Sequence, residues 1–152
     1  MTPIAGFAVK DLNVIPDDRG RLFEVLRCDE PLFRKFGQAY VTTTLPGVVK
    51  AWHRHRLQTD FFCCLMGMIK LVLYDDRPGS PSEGSVEQVW LGQFKPRLVT
   101  VPPGVWHGWT CTSENEAMIL NLATEAYDHS APDEERLAPH GVLPYDWRRR
   151  DG

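Results

Sequence analysis

GVVKAWHRHRLQTDFFCCLMG, residues 47–67, is the stretch from which the fold of this chain is read. Two runs rich in β-branched and aromatic residues flank a polar turn, the pattern of two β-strands and their connection. Side chains alternate faces along a strand, so His53 and His55 point the same way, together with Ala51. Asp60 follows five residues after His55. Two imidazoles and a carboxylate on one face can line a cavity, although an outer face of alternating polar and apolar residues would show the same pattern. A second stretch, VPPGVWHGW at 101–109, supplies a third histidine, His107, and favours the cavity.

Working outward, the chain reads as all-β. Residues 1–16 hold short apolar runs broken by Pro3 and Pro16, and DDRG at 17–20 signals a turn. RLFEVLRC alternates as a strand, EPLFRKFG suits a helical turn or two stopped by Gly37, and QAYVTTTLPG is a strand ending in a turn. MIKLVLYDD is the clearest strand; DRPGSPSEG is a loop; SVEQVWLG, PRLVTV, WHGWTC and AMILNLA complete the set. From Tyr127 the chain turns polar and Pro-rich, an irregular tail lying over the rest. About ten short strands with turns between them, and almost no helical periodicity, indicate a sandwich or barrel.

Composition bounds the partners. The chain has 152 residues, 43% hydrophobic and 24% charged, enough for one domain spanning residues 1–152. Seventeen basic and 20 acidic residues leave a net charge of −3, too mild to imply nucleic acid as partner. No basic start with an apolar run marks a secretory signal, and no apolar window is long enough for a membrane span. Cys28, Cys63, Cys64 and Cys111 lack C-x-x-C spacing, and the adjacent Cys63 and Cys64 face opposite ways on a strand. Packed thiols at Cys63, Cys64 and Cys111, in a reducing cytoplasm, are the expectation. Trp52, Trp106 and Trp109 suit either core packing or a sugar platform.

Spacing chooses the architecture. Gly47, five residues, His53-x-His55, four residues, Asp60, six residues, Gly67 has the form of the first cupin motif, with Asp where Glu is usual. Pro102-x-Gly104-x-x-His107 has the form of the second, with Cys111 where Asn is usual. The two in order resemble the double-stranded β-helix, or jelly-roll, barrel. Such a barrel supports two chemistries. His53, His55, Asp60 and His107 could hold iron, manganese, nickel or zinc for a metal-dependent enzyme. Alternatively, a cavity histidine could remove an acidified carbon proton without any metal.

DDRGRLFEVLR at 17–27, GVVKAWH at 47–53, YDDRPGSPSEG at 74–84 and VPPGVWHGW at 101–109 resemble, in order, motifs of the dTDP-4-dehydrorhamnose 3,5-epimerase family. The closing TEAYDHSAPDEERLAPHGVLPYDW is similar to that family's last segment, so the likeness runs from about residue 11 to 147. It implies a cupin-shaped, metal-free, cofactor-free homodimer acting on a nucleotide-diphosphate sugar in deoxysugar and polysaccharide biosynthesis. By this resemblance His53 stands at the general base that takes the proton beside the C4 ketone of a 4-keto-6-deoxy sugar. Tyr127 stands at the tyrosine that returns a proton to the other face. Arg19 and Glu24 match contacts to the nucleotide end, Gln38 and His107 match substrate contacts, and Lys50 replaces a substrate-holding arginine. His55 and Asp60 replace a glutamine and a lysine of the family's cavity. The family's base-orienting aspartate falls where this chain reads PHG at 139–141, so a rebuilt dyad would draw on Asp60 or His55. The H-x-H pattern is also similar to the sugar 3,4-ketoisomerases, a related group.

Overall fold

The computed structural model describes residues 2–151, and among them there is no helix, and so none long and apolar enough to cross a membrane. Two five-stranded antiparallel sheets face each other. One sheet orders β1 (Ala8–Asp11), β9 (Arg97–Val101), β6 (Asp60–Met66), β11 (Ala117–Ala123) and β4 (Gln38–Thr44). The other orders β12 (Glu135–Arg136), β5 (Val49–Arg54), β10 (Trp106–Cys111), β7 (Met68–Tyr74) and β8 (Val86–Gly92). A separate hairpin joins β2 (Ile15–Asp17) to β3 (Gly20–Leu22) across the expected turn. This is the jelly-roll arrangement expected of the motif spacing.

Period-two alternation sorts the apolar residues into three layers. Between the sheets lie Phe62, Cys64, Ile69, Leu71, Leu73, Val99, Trp109 and Ile119. Outside the first sheet, Phe61, Cys63 and Leu98 are covered by Phe23, Val25 and Leu26 of the N-terminal segment. Outside the second, Trp52, Val72 and Trp106 are covered by Leu137, Leu143, Tyr145 and Trp147 of the tail. Cys63 and Cys64 thus fall in different layers, and all four cysteines are free. Burial pushes the Cys63 thiol up to about 11 and that of Cys64 to about 12.

Three local expectations are corrected. The strand read over RLFEVLRC stops at Leu22, because Phe23, Val25 and Leu26 turn inward to cap the first sheet instead of pairing. EPLFRKFG forms isolated turns, with Phe33 N–H donating to the Glu30 carbonyl, and no helix, because so short a stretch gains too few hydrogen bonds to offset the cost of the first turn. Ala51 does not share a face with His53: it packs against the outer cluster with Trp52. The cause is a bulge, since β10 pairs His107 with His53 but Trp109 with Lys50, which sets two residues of β5, Ala51 and Trp52, against Gly108 alone. Lys50 therefore returns to the His53 face. Gly108 sits opposite this bulge, where a Cβ would lie 2.2 Å from that of Ala51, so no larger residue fits.

Candidate active site

His53, His55, Asp60 and His107 come together at one end of the space between the sheets. His53 and His107 are cross-strand partners, with ring centroids 4.1 Å apart, and His55 lies 6.3 Å from His53 and 6.0 Å from His107. Trp109 closes one side of His53 at 5.4 Å, and Phe62 backs His107 at 5.5 Å.

Asp60 lies at the base of the cluster, 1% exposed. Its Oδ1 accepts from Gln58 Nε2 and Asn121 Nδ2, each at 2.7 Å. Its Oδ2 faces His107 Nε2 at 3.2 Å and His55 Nε2 at 3.5 Å. Burial alone would raise the Asp60 carboxyl, but His107, His55 and Asn121 outweigh it and hold the value at about 2. Asn121 also donates to the Tyr40 hydroxyl, and burial raises that phenol above its ordinary value. The rebuilt dyad expected for Asp60 is therefore not formed with His53: the carboxylate serves His55 and His107. No hydrogen bond or ion pair joins the Asp60 carboxylate to His53 among the described residues.

The three imidazoles are not equivalent. His55 Nδ1 donates to the Asp133 carbonyl at 2.7 Å, and His107 Nδ1 donates to the Val105 carbonyl at 3.0 Å. A carbonyl only accepts, so both rings carry their proton on Nδ1. His53 has no such tether among the described residues, and the residue as a whole is half-buried. Burial first, then the neighbouring His107, holds its pKa well below the ordinary 6.5, so the ring is neutral at pH 7.

The tail shapes the mouth. β12 pairs with β5, setting Arg136 opposite His53 and on the same face. Arg136 is ion-paired to Glu134 at 2.8 Å. Sequence reasoning missed it; a two-residue strand in a polar tail carries no periodic signal. It missed Asp133 too, whose carboxylate accepts the backbone N–H groups of Arg56, Leu57 and Gln58 at 3.0, 2.9 and 3.1 Å. That clamp fastens the tail to the turn after the H-x-H pair. Tyr127 is 43% exposed, with its backbone N–H bonded to Gln38 Oε1 at 2.9 Å and its ring beside His129. A small cavity of about 40 Å³ lies under this strap, lined by His55, Gln58, Tyr127, Asp133 and Glu134 among others.

The remaining expected residues lie apart from the cluster. Lys50 shares its face but bonds Thr42 Oγ1 at 3.0 Å and the Thr43 carbonyl at 2.6 Å. Arg19, at the tip of the β2–β3 hairpin, pairs with Asp17, and Glu24 pairs with Arg27. Neither is joined to the histidines by a hydrogen bond or ion pair among the described residues. The four-residue metal set narrows to three, since only His55, Asp60 and His107 bring ligand atoms within 4.8 Å of one another. A much larger cavity, about 780 Å³, lies elsewhere, between the outer face of the second sheet and the last residues of the tail.

Comparison with known proteins meets this geometry. The family model described as dTDP-4-dehydrorhamnose 3,5-epimerase matches residues 1–141. The chain is 37% identical over 148 residues to the "Probable low-salt glycan biosynthesis epimerase Agl13" of Haloferax volcanii, covering 96% of this chain and 91% of that protein. It is 38% identical over 134 residues to the spore coat polysaccharide biosynthesis protein SpsL of Bacillus subtilis, covering 88% and 89%. The crystal structure of a dTDP sugar isomerase from Desulfovibrio desulfuricans superposes with a TM-score of 0.90 at 37% identity, covering 98% of this chain and 95% of that one. NovW, a 4-keto-6-deoxy sugar epimerase of Streptomyces spheroides, gives 0.86 at 26% identity, covering 98% and 78%.

Proposed function

We propose, because this chain belongs to the dTDP-4-dehydrorhamnose 3,5-epimerase family, that it epimerises a nucleotide-diphosphate 4-keto-6-deoxy sugar at a carbon beside the C4 ketone, with His53 as the base. The observation that carries this reading is the contrast among the three imidazoles. His55 and His107 are tethered through Nδ1 and turned onto Asp60, while His53 is neutral and untethered among the described residues.

In the mechanism, His53 takes the proton α to the ketone, and the electron pair moves onto the C4 oxygen as an enolate. Arg136 and Lys50 are the cations on the His53 face that would stabilise that charge as it develops. Tyr127, at the strap over the mouth, returns a proton to the opposite face and inverts the carbon. The cavity under the strap is too small for a nucleotide sugar, so residues 125–134 would shift on binding. The β2–β3 hairpin leaves Ile15 and Leu22 exposed at 55% and 59%, an apolar face suited to a second copy. A homodimer is therefore part of the proposal, with Arg19 carried on that hairpin, as is a cytoplasmic setting for a chain whose four cysteines are all free.

The test is incubation with dTDP-4-keto-6-deoxyglucose in heavy water, followed by NMR. Deuterium at C3 or C5 with inversion supports the reading. Migration of the ketone from C4 to C3 would make the chain a ketoisomerase, and unchanged substrate would overturn both.

A further inference from the structure

The inward face of β4 carries a row of polar side chains, and the mechanism above leaves the middle one unused. Gln38 Oε1 accepts the Tyr127 N–H of the strap, Thr42 Oγ1 accepts from Lys50 Nζ, and Thr44 Oγ1 accepts from Trp109 Nε1 at 2.9 Å. Tyr40 stands between Gln38 and Thr42 in that row. On the facing sheet, the β5 bulge makes His53 the next inward residue after Lys50. Because Thr42 bonds Lys50, one step further along each strand sets Tyr40 and His53 level with each other across the gap. We propose that Tyr40 is a substrate-holding residue. Its O–H donates to a hydroxyl or carbonyl oxygen of the hexose, on the ring face turned away from His53, and so presents the other face to the base. The inference rests on the epimerase reading and adds a residue to it.

The direction of the hydrogen bonds leaves the phenol a free donor. Asn121, the cross-strand partner of Tyr40, gives one Nδ2 hydrogen to Asp60 Oδ1 at 2.7 Å and the other to the Tyr40 oxygen at 2.9 Å. Its Oδ1 accepts the Phe61 N–H at 3.0 Å. A flipped amide would set its oxygen against the Asp60 carboxylate and its NH₂ against the Phe61 N–H, so the orientation is fixed. The Tyr40 oxygen must therefore accept from Asn121, and its own hydrogen meets no acceptor among the described residues. Tyr40 keeps 36% of its surface open, while Asn121 and Asp60 behind it are sealed. Of the chain Asp60–Asn121–Tyr40, the phenol is the end that a ligand reaches.

The surroundings select the uncharged part of a nucleotide sugar. Burial raises the Tyr40 phenol, and the charges of Asp60 and Glu134 add to the rise, so the group keeps its proton at pH 7 and serves as a hydrogen-bond donor. A diphosphate is held by cations. Tyr40 is linked instead, through one amide, to the buried Asp60 carboxylate, which suits a neutral sugar oxygen and not a phosphate. His53 takes its proton from one face of the ring, so a donor standing level with it on the facing sheet meets the other face. The phenol thus fixes which side of the sugar the base sees, and it does so in the ground state and the transition state alike.

The experiment compares the full native chain with Tyr40→Phe. Calorimetry measures the affinity of each for dTDP and for dTDP-glucose, which carries the sugar oxygens but has no ketone and so binds without reacting. Turnover of dTDP-4-keto-6-deoxyglucose is followed in parallel. The expected result is that Tyr40→Phe weakens dTDP-glucose about 3- to 10-fold and leaves dTDP unchanged. KM rises by a similar factor while kcat stays within about twofold, the mark of a contact made equally in both states. In native protein labelled with ¹³C at tyrosine Cζ, the Tyr40 signal moves on adding dTDP-glucose and stays in place with dTDP, a readout that needs no substitution at residue 40. Equal loss of both ligands makes the phenol structural, and no loss of either leaves it to water; each overturns the inference, as does a fall in kcat at unchanged KM. Native protein that binds neither ligand overturns this inference and the epimerase reading together. The expected binding pattern without deuterium exchange overturns the epimerase reading alone, whereas exchange with sugar binding indifferent to Tyr40 overturns this inference alone.

Discussion

Replacing Asp133 by alanine removes the clamp that fastens the tail to the turn after the H-x-H pair. Three backbone donors lose their acceptor: the N–H groups of Arg56, Leu57 and Gln58. Arg56 and Leu57 are exposed, so water replaces their bonds at about 0.5 kcal/mol each. Gln58 is 7% exposed, and its orphaned N–H costs about 1–3 kcal/mol. The sum is a loss of about 2–4 kcal/mol, read as a lower urea midpoint at unchanged slope. Asp133→Asn keeps one acceptor oxygen and should fall between alanine and the native protein. Hydrogen exchange adds local resolution, because amides 56–58 should lose protection in either variant while β7 and β10 keep theirs. A midpoint shift under about 0.5 kcal/mol, with exchange at 56–58 unchanged, would refute the clamp and with it the tail's role in shaping the site.

Further outcomes follow from the same geometry. Tyr127→Phe should still let His53 wash deuterium into substrate but should slow net inversion about 100-fold or more, followed by NMR of the sugar product; inversion at the native rate would remove Tyr127 from the mechanism. Asp75 accepts from Arg77 Nε, Nη2 and backbone N–H and from the Ser80 and Ser82 hydroxyls, and the Arg77 guanidinium foremost holds its carboxyl well below the usual range. A depressed folded value stabilises the protein above the unfolded pKa of about 3.9, and that contribution fades as pH falls below it. Asp75→Asn should therefore cost about 2–3 kcal/mol at pH 7 and progressively less below about pH 4, by urea unfolding at each pH; a gap independent of pH would contradict this.

Legibility in the sequence followed the length of each signal. Strands of five to seven residues with clean alternation, such as β7 and β11, were readable because one face of each is buried between the sheets. The H-x-H pair, Asp60 and His107 were readable because their spacing is tied to that alternation. Features that depend on a partner strand were not. The bulge that turns Ala51 outward and Lys50 back to the His53 face exists only in the pairing of β5 with β10. Arg136 enters the site through a two-residue strand, and Asp133 through a carboxylate that caps a turn more than 70 residues away. Phe23 and Val25 alternate with Leu22 and Glu24 as a strand would, yet Phe23, Val25 and Leu26 all cover a sheet without joining it. Local pattern records which face is apolar, and it does not record what lies against that face.

The central claim is that one untethered imidazole removes the sugar proton, and solvent exchange tests it most directly. Native protein and His53→Asn are incubated with dTDP-4-keto-6-deoxyglucose in heavy water, and deuterium beside the ketone is followed by NMR. The account predicts incorporation by the native protein, about 100- to 10,000-fold slower in His53→Asn, with the melting curve preserved. Incorporation at the native rate by a folded His53→Asn protein would contradict it.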